Sequence, residues 1–496
     1  MKVYLIGAGP GDPGLITLKG ARIIAQCDTI VYDDLIPSEI LGLAKPETEK
    51  IYVGKRAGQD YMKQPEINDL LVHLARQGKT IARIKGGDPC IFGRGGEEAL
   101  FLKENSVPFE IVPGITSAIA GPISAGIPPT HRGLASSVKF ITGHEDPTKE
   151  AGFLDWSLLA RDNGTLVFLM GATRIEKIAA KLMENGMKQD MPCAIVMNAT
   201  LPTQKHLVST LEHVGEDAKK NAIGSPCIIV VGEVAQLSLE LFVPEEKPLK
   251  GRSILITRPH HLAMGSASLF SETGAQVILY PLLDISPLAF DLPDMASCDV
   301  FIFTSQNAVP LFFEKMLTAG LDSRAFADKE IYCIGPKTRD ALQSYGIVPD
   351  GMAEEFRAEG IVEMLKEKDL AGKKVCLPRA KGARSYLVDT LKEKGVSVEE
   401  IFVYDTVLPP AATREGFMRA LHETDAVVFT SPSGFRHALM LLGEDRSAIE
   451  AMQRVAIGPV TAATMENAGL PAHVIAGEYT DTGIIAALAA FKGEPS

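Results

Sequence analysis

The sequence predicts an α/β protein whose two halves are each built from strands and crossover helices, and three observations carry that reading. Apolar strand-length runs alternate with helix-length segments along the whole chain. A glycine-rich, charged run, Arg83-Ile84-Lys85-Gly86-Gly87-Asp88-Pro89-Cys90-Ile91-Phe92-Gly93-Arg94-Gly95-Gly96-Glu97, lies between a strand-like and a helix-like stretch. It therefore falls outside the carboxyl end of a strand, where open α/β sheets place their binding crevices. The second half repeats itself at an offset of about 120 residues, far above the period of a solenoid, which calls for two similar lobes.

Length and composition set the outer limits. At 496 residues the chain exceeds a single core, and a prior of about one domain per 150 residues suggests three or four. A hydrophobic share of 46% and a mean hydropathy of +0.10 support globular cores over disorder. No apolar run reaches the roughly 18 residues that span a membrane, and Met1-Lys2-Val3-Tyr4-Leu5-Ile6 runs into a glycine turn without a cleavage pattern, so a soluble, cytoplasmic protein is expected. The seven cysteines are scattered without a CxxC pair, which argues against a disulfide framework and a thiolate metal site. His260-His261 is no better as a ligand pair, because adjacent side chains diverge, and no metal is expected. The net charge of −12 disfavours nucleic acid as a partner. Any polyanionic substrate must then meet a local basic pocket.

Taken in order, the chain opens on Val3-Tyr4-Leu5-Ile6-Gly7-Ala8-Gly9-Pro10-Gly11-Asp12-Pro13, which approaches a dinucleotide fingerprint. It fails at the third glycine, where Asp12 stands, and Pro10 and Pro13 stiffen the turn. In the Arg83 to Glu97 run the glycines permit close backbone approach to a ligand and Pro89 fixes a turn; GGDP alone would be only a β-turn. Pro244-Glu245-Glu246-Lys247-Pro248-Leu249-Lys250-Gly251 reads as a linker by composition. Beyond it, Phe303-Thr304-Ser305 is echoed by Phe429-Thr430-Ser431, and Ile334-Gly335-Pro336-Lys337-Thr338 by Ile457-Gly458-Pro459-Val460-Thr461. Gly251-Arg252-Ser253 is likewise echoed by Gly372-Lys373-Lys374, and each copy carries a downstream glycine at a matching interval: Gly346 and Gly469, Gly274 and Gly395. These hydroxyls fall at strand ends and helix starts, where they can receive carboxylates or simply cap helices.

Residues 1–240 resemble the uroporphyrinogen-III C-methyltransferases. The likeness rests on Asp28-Thr29-Ile30-Val31-Tyr32-Asp33-Asp34-Leu35, Val53-Gly54-Lys55-Arg56-Ala57-Gly58, the GGDP run, Val112-Pro113-Gly114-Ile115-Thr116-Ser117-Ala118 and Ala125-Gly126-Ile127-Pro128-Pro129-Thr130-His131-Arg132, in that order. The resemblance implies a two-lobed tetrapyrrole methylase fold, a homodimer through this half, and transfer of methyl groups from two S-adenosylmethionine molecules to C2 and C7 of uroporphyrinogen III, giving precorrin-2. It places Pro10, Gly86, Gly87, Asp88, Ile91, Thr116, Ser117, Met170 and Ala199 on the cofactor, Asp33 as proton acceptor and Lys55 as proton donor. Glu97 is a further base candidate, though a carboxylate in the first turn of a helix is favourable on its own account. Met170 equally fits a core position, Asp33 a cap before Pro37, and Lys55 a solvated loop. Arg94 and Arg132 are the candidates for gripping substrate carboxylates bidentately.

Residues 251–496 resemble uroporphyrinogen-III synthase, through the paired Thr-Ser and Gly-Pro-x-Thr turns and Val403-Tyr404-Asp405-Thr406. This resemblance implies two flavodoxin-like lobes and cofactor-free closure of hydroxymethylbilane with inversion of its last ring. Tyr404 matches the family's tyrosine and would protonate or hydrogen-bond the departing hydroxyl, unless it merely closes a strand. Thr304, Ser305, Thr338, Ser431 and Thr461 are the matching carboxylate binders. The expected organisation is a methyltransferase over 1–243, with lobes of about 1–113 and 114–243, a linker over 244–250, and a synthase over 251–496. In the synthase, lobe A takes about 251–285 plus 408–496 and lobe B about 286–407.

Three positions depart from the methyltransferase pattern: Asp34 where some members carry arginine, Cys90 for a common aromatic, and Ile123-Ser124 for an Ala-Tyr pair. Two other readings stay open, a methylase acting on a later precorrin and a C-terminal half that binds tetrapyrrole without catalysis. The favoured expectation is a bifunctional enzyme serving sirohaem or cobalamin synthesis.

Overall fold

A computed structural model describes residues 1–54, 62–143, 154–243, 246–355, 357–366 and 368–491. The α/β expectation holds, with four sheets in two compact units: Met1–Tyr280 with Glu415–Pro432 and Leu442–Ser496, and Pro281–Arg414 with Ser433–Leu441.

In the first unit, β1 (Lys2–Gly7), β2 (Thr29–Tyr32), β3 (Glu49–Tyr52), β4 (Thr80–Lys85) and β5 (Phe109–Val112) form a parallel sheet in the order β3-β2-β4-β1-β5. Val3, Leu5, Ile6, Ile81, Ala82 and Ile84 are fully buried, which is why β1 and β4 read as near-continuous apolar runs. The chain leaves β1 toward β2 and leaves β4 toward β5, in opposite directions. A crevice therefore opens between the carboxyl ends of β1 and β4, the topological switch point. The second sheet is mixed, with β6 (Val138–Thr142), β7 (Thr165–Leu169), β8 (Pro192–Met197), β9 (Lys205–Thr210) and β10 (Cys227–Val231) in the order β6-β7-β10-β8-β9; β10 runs antiparallel to both neighbours.

The third sheet begins with β11 (Ser253–Ile256) and β12 (Gln276–Leu279). The chain then builds the fourth, in the second unit, from β13 (Asp284–Pro287), β14 (Val300–Phe303), β15 (Glu330–Cys333), β16 (Gly351–Met352), β17 (Lys374–Ala380) and β18 (Ser397–Val407), in the order β13-β18-β17-β14-β15-β16. It returns to the third with β19 (Ala426–Phe429), β20 (Gln453–Ala456) and β21 (Val474–Ile475), giving β12-β11-β19-β20-β21.

The internal duplication has a local cause. The helices Pro336–Ser344 and Pro459–Asn467 both start on proline, which suits a first turn that has no acceptor for its N–H. Both end in the same cap: Gly346 (φ 79°) and Gly469 (φ 77°) adopt the left-handed conformation. The next residues, Ile347 and Leu470, donate back to Leu342 and Met465, a Schellman closure that only glycine enters without strain. Beneath β14 a phenylalanine cluster fixes the strand: Phe312 is fully buried against Phe301 and Phe303, with ring centroids 5.9 Å from each.

Two sequence expectations are corrected. Cys298 and Cys376 form a disulfide, 78 residues apart, because β14 and β17 are sheet neighbours, a proximity that topology sets and spacing does not reveal. Within 4.8 Å of both sulfurs lies a carboxylate oxygen of Glu399, but bonded sulfurs are not thiolate ligands. The second correction concerns Lys247 to Lys250, which is not a loose tether. Leu249 is fully buried in the core under β11, and its N–H donates to the Thr273 carbonyl at 3.0 Å.

Candidate active sites

The crevice at the ends of β1 and β4 is held open by a backbone clasp. Gly87 donates to the Gly9 carbonyl at 2.7 Å and Gly9 returns a bond to Gly87 at 3.2 Å. A Cβ on Gly7 would lie 2.6 Å from both the Gly87 carbonyl oxygen and the Gly114 backbone, so three chain segments meet where side chains cannot fit. The near-dinucleotide glycines thus serve chain approach. Asp88 locks the loop, its Oδ1 accepting from Cys90 N (2.8 Å) and its Oδ2 from Gly114 N (3.0 Å). Thr116 caps the helix Ser117–Ser124 by accepting from Ala118 N.

All nine cofactor candidates, Pro10, Gly86, Gly87, Asp88, Ile91, Thr116, Ser117, Met170 and Ala199, line one cavity of about 650 Å³, together with Asp33 and Arg94. Met170 is not a core residue: it is 52% exposed, with φ at 56°. Phe92, Arg94 and Asn198 on the same lining also hold positive φ, as does the adjoining Thr200, so five of the seven left-handed non-glycine residues described gather here. Such conformations cost ~1–3 kcal/mol each and persist where packing imposes them, typically around ligand sites.

Part of this lining belongs to a buried charge cluster that sequence reasoning missed. Arg83 and Lys85 alternate along β4 and so share a face, and both are buried with Glu98. Glu98 accepts from Lys85 Nζ (2.7 Å), Gln64 Nε2 (3.0 Å) and Arg83 Nε (3.5 Å), while Arg83 Nη2 lies 3.6 Å from Asp33 Oδ2. Burial pulls the Lys85 ammonium below its ordinary range. The signal was present as two charges inside an apolar strand. Unpaired, such residues are almost never buried.

The neighbouring Glu97 points elsewhere. Arg94 grips its carboxylate with three hydrogen bonds of 2.6–3.1 Å, and this partner holds Glu97 below the usual carboxylate range. Glu97 lines neither cavity described in this unit, and the exposed Arg132 lines neither as well. Lys55 lies outside the described residues.

In the second unit, Tyr404 and Ser305 are brought together, Oη to Oγ at 2.8 Å, and Ser305 Oγ also accepts from Asn307 N at 3.1 Å. A register shift between β17 and β18 sets this up: Arg379 pairs with Phe402 but Ala380 with Tyr404. Val403 and Tyr404 therefore both face the phenylalanine core, which strict alternation forbids. Burial pushes the Tyr404 phenol up, against the hydrogen bonds from Ser305 and Asn307 and the charge of Arg379. Arg379, 4% exposed, bonds Glu400 (3.2 Å) and the Arg384 carbonyl (2.7 Å) but leaves Nε without a partner. Sequence reasoning missed it too. Thr304 follows β14, Thr338 is buried in the first turn of Pro336–Ser344, Thr461 is buried in the first turn of Pro459–Asn467, and Ser431 precedes the helix Pro432–Leu442.

Comparisons with known proteins match the two halves of the sequence separately. A family model described as tetrapyrrole (corrin/porphyrin) methylases matches residues 2–215, and one described as uroporphyrinogen-III synthase HemD matches residues 266–486. The chain is 35% identical to the porphyrin biosynthesis protein HemD of Ruminiclostridium josui over 97% of its own length and 96% of the relative's. It is 50% identical over 237 residues to the uroporphyrinogen-III C-methyltransferase of Methanocaldococcus jannaschii, 48% of this chain and 97% of that one. The uroporphyrin-III C-methyl transferase of Thermus thermophilus, solved with S-adenyl homocysteine, is 40% identical and covers 48% of this chain and 100% of its own, with a TM-score of 0.42. With a clasped cavity at a switch point in one half, a hydrogen-bonded Tyr-Ser pair in the other, and a relative matching both halves end to end, the chain belongs to the bifunctional tetrapyrrole enzymes that join an S-adenosylmethionine-dependent uroporphyrinogen-III C-methyltransferase to a uroporphyrinogen-III synthase.

Proposed function

We propose that the C-terminal half closes hydroxymethylbilane to uroporphyrinogen III with inversion of ring D, without a cofactor, and that the N-terminal half methylates that product at C2 and C7 to give precorrin-2. The observation that carries the reading is the gathering of all nine cofactor candidates around one cavity with Asp33 on its rim.

S-adenosylmethionine supplies an electrophilic methyl on a cationic sulfonium, and the lining suits it: backbone carbonyls and hydroxyls at Gly86, Gly87, Thr116 and Ser117, with apolar walls at Ile91, Met170 and Ala199. The pyrrole carbon is already electron rich, so the protein need only orient the ring and remove a proton afterwards. Asp33 is the proposed acceptor, with Arg83 Nη2 3.6 Å from its Oδ2. Lys55 is the proposed donor. In the synthase half, Tyr404 is the proposed donor to the leaving hydroxyl, with Ser305 orienting the phenol. Unaided closure gives the uninverted isomer, so selectivity comes from holding the ends of the chain, an orientation effect worth up to roughly 7–11 kcal/mol. Thr304, Thr338, Ser431 and Thr461 are the proposed carboxylate contacts.

A one-pot assay tests the whole reading. Hydroxymethylbilane and S-adenosylmethionine should yield the dipyrrocorphin absorbance of precorrin-2, and labelled methyl should enter uroporphyrinogen III. Isomer I alone, or no methyl uptake on uroporphyrinogen III, would refute the respective half.

A further inference from the structure

A second cavity, of about 620 Å³, opens beside the cofactor-candidate pocket and is walled by both halves of the sequence. Asp33, Gly11 and Leu201 belong to both linings, so the two spaces meet at the proposed proton acceptor. One wall is the turn after β2 with the helix Ser38–Leu41. The facing wall is β12 with Lys247 and Lys250.

These walls are bonded to each other. Ser38 Oγ donates to the Val277 carbonyl at 3.3 Å and accepts from Leu279 N at 3.0 Å, so one hydroxyl satisfies both kinds of group on an edge strand. Glu39 beside it is 7% exposed, and a Cβ added at Gly42 would lie 2.6 Å from Met264 Sδ. On the far side, the turn carrying Lys247 and Lys250 is pinned by the buried Leu249 and packs over Gly274, whose added Cβ would lie 2.8 Å from Lys247 Cβ. The lysines are therefore presented from a fixed backbone.

The lining carries both signs of charge: Asp12, Asp33, Asp34 and Glu39 stand on the methyltransferase wall, and Lys247 and Lys250 stand with Glu423 on the other. A polycarboxylate tetrapyrrole offers groups that match both signs, with pyrrole N–H groups at its centre and carboxylates on its rim. Methylation at carbon adds positive charge to the ring, which suits nearby aspartates. The volume falls in the ~300–1,000 Å³ range of small-molecule sites.

We infer that the C-terminal half completes the tetrapyrrole site of the methyltransferase, with Lys247 and Lys250 gripping carboxylates on the rim of the macrocycle while Asp33 faces its reacting face; this rests on the function proposed above. The uroporphyrinogen-III C-methyltransferase of Methanocaldococcus jannaschii aligns with 48% of this chain over 97% of its own length, so the facing wall is expected to contribute to affinity and not to chemistry.

The test is steady-state methylation by the full-length protein. A Lys247→Gln/Lys250→Gln variant should raise KM for uroporphyrinogen III about tenfold, the scale of losing a charge contact, while kcat and KM for S-adenosylmethionine stay within about twofold. Synthase turnover should be unchanged, and Lys247→Arg/Lys250→Arg should restore the KM. Gly42→Leu, a wedge between the walls that alters no charge, should raise the same KM. An unchanged KM in the glutamine and wedge variants, or equal loss of both activities, overturns the inference. If the wild-type protein does not methylate uroporphyrinogen III, the proposed function fails instead. Fluorescence titration with uroporphyrin III, wild type against the glutamine variant, then decides whether the cavity takes the macrocycle.

Discussion

Replacing Glu39 by glutamine should stabilise the protein in a strongly pH-dependent way. The carboxyl is 7% exposed, and burial pushes it up to about 7, only partly offset by its own backbone N–H and by Ser38. An acid with a raised native pKa binds its proton more tightly folded than unfolded, so stability falls as pH rises from the unfolded value toward the native one. From an ordinary value of 4.5 to about 7, linkage gives about 3 kcal/mol, fully present below the lower value and lost above the upper. Glutamine has no charge to bury and can still accept from Ser38. The advantage of Glu39→Gln over wild type should therefore grow by about 2.5 kcal/mol between about pH 5 and about pH 8. Urea unfolding at the two pH values, followed through the transition that reports the helix Ser38–Leu41, measures it. An advantage that stays flat with pH would refute the reasoning, since a packing effect carries no proton.

Further outcomes follow from the two sites. Asp33→Asn should lower methylation roughly 10²–10⁴-fold, the usual range for a lost general base, and leave synthase turnover unchanged in the same preparation. Tyr404→Phe should slow consumption of hydroxymethylbilane and raise the proportion of isomer I, read by chromatography of the oxidised porphyrins, with methylation of supplied uroporphyrinogen III intact. Glu98→Gln removes the carboxylate that Lys85 and Arg83 share, and breaking a buried pair from one side should destabilise by about 3–5 kcal/mol in urea unfolding. Arg379→Gln takes away a cation that draws the Tyr404 phenol down, so the phenol should ionise at still higher pH. The alkaline limb of the synthase pH profile should move upward in that variant and stay in place in Arg379→Lys.

How much of this was legible in the sequence depends on whether the signal was local. The paired glycines were readable because a helix cap is decided within a few residues, and Gly346 and Gly469 close their helices by the same bonds. The convergence of the cofactor candidates on one cavity was readable because the motif residues flank strand ends, and strand ends at a switch point converge. The choice between Glu97 and Glu98 was not. Successive helical residues point about 100° apart, and which one faces inward depends on where the helix Gly95–Glu104 begins, set here by Arg94 in the left-handed conformation. The Cys298–Cys376 bond and the buried Leu249 were hidden for another reason: each depends on which strands become neighbours. Tyr404 was named as a candidate, but only the register shift explains how it reaches Ser305.

The two arginines of the methyltransferase site divide the work by burial. An acidic chain must hold a polycarboxylate with local cations, yet Arg83 and Arg94 already have carboxylate partners. Arg94 and Glu97 are more than half exposed, and such a pair is worth only about 0–1 kcal/mol, so a substrate carboxylate can displace Glu97 at little cost. Arg83 cannot be released so cheaply: it is 3% exposed, and freeing it would strand both its own charge and that of Asp33. In the proposed site Arg94 is therefore the exchangeable grip, and Arg83 the fixed support beside Asp33. The same logic predicts that added salt, which screens exposed pairs far more than buried ones, weakens substrate affinity before it affects the chemical step; kcat falling with salt at constant KM would overturn that division.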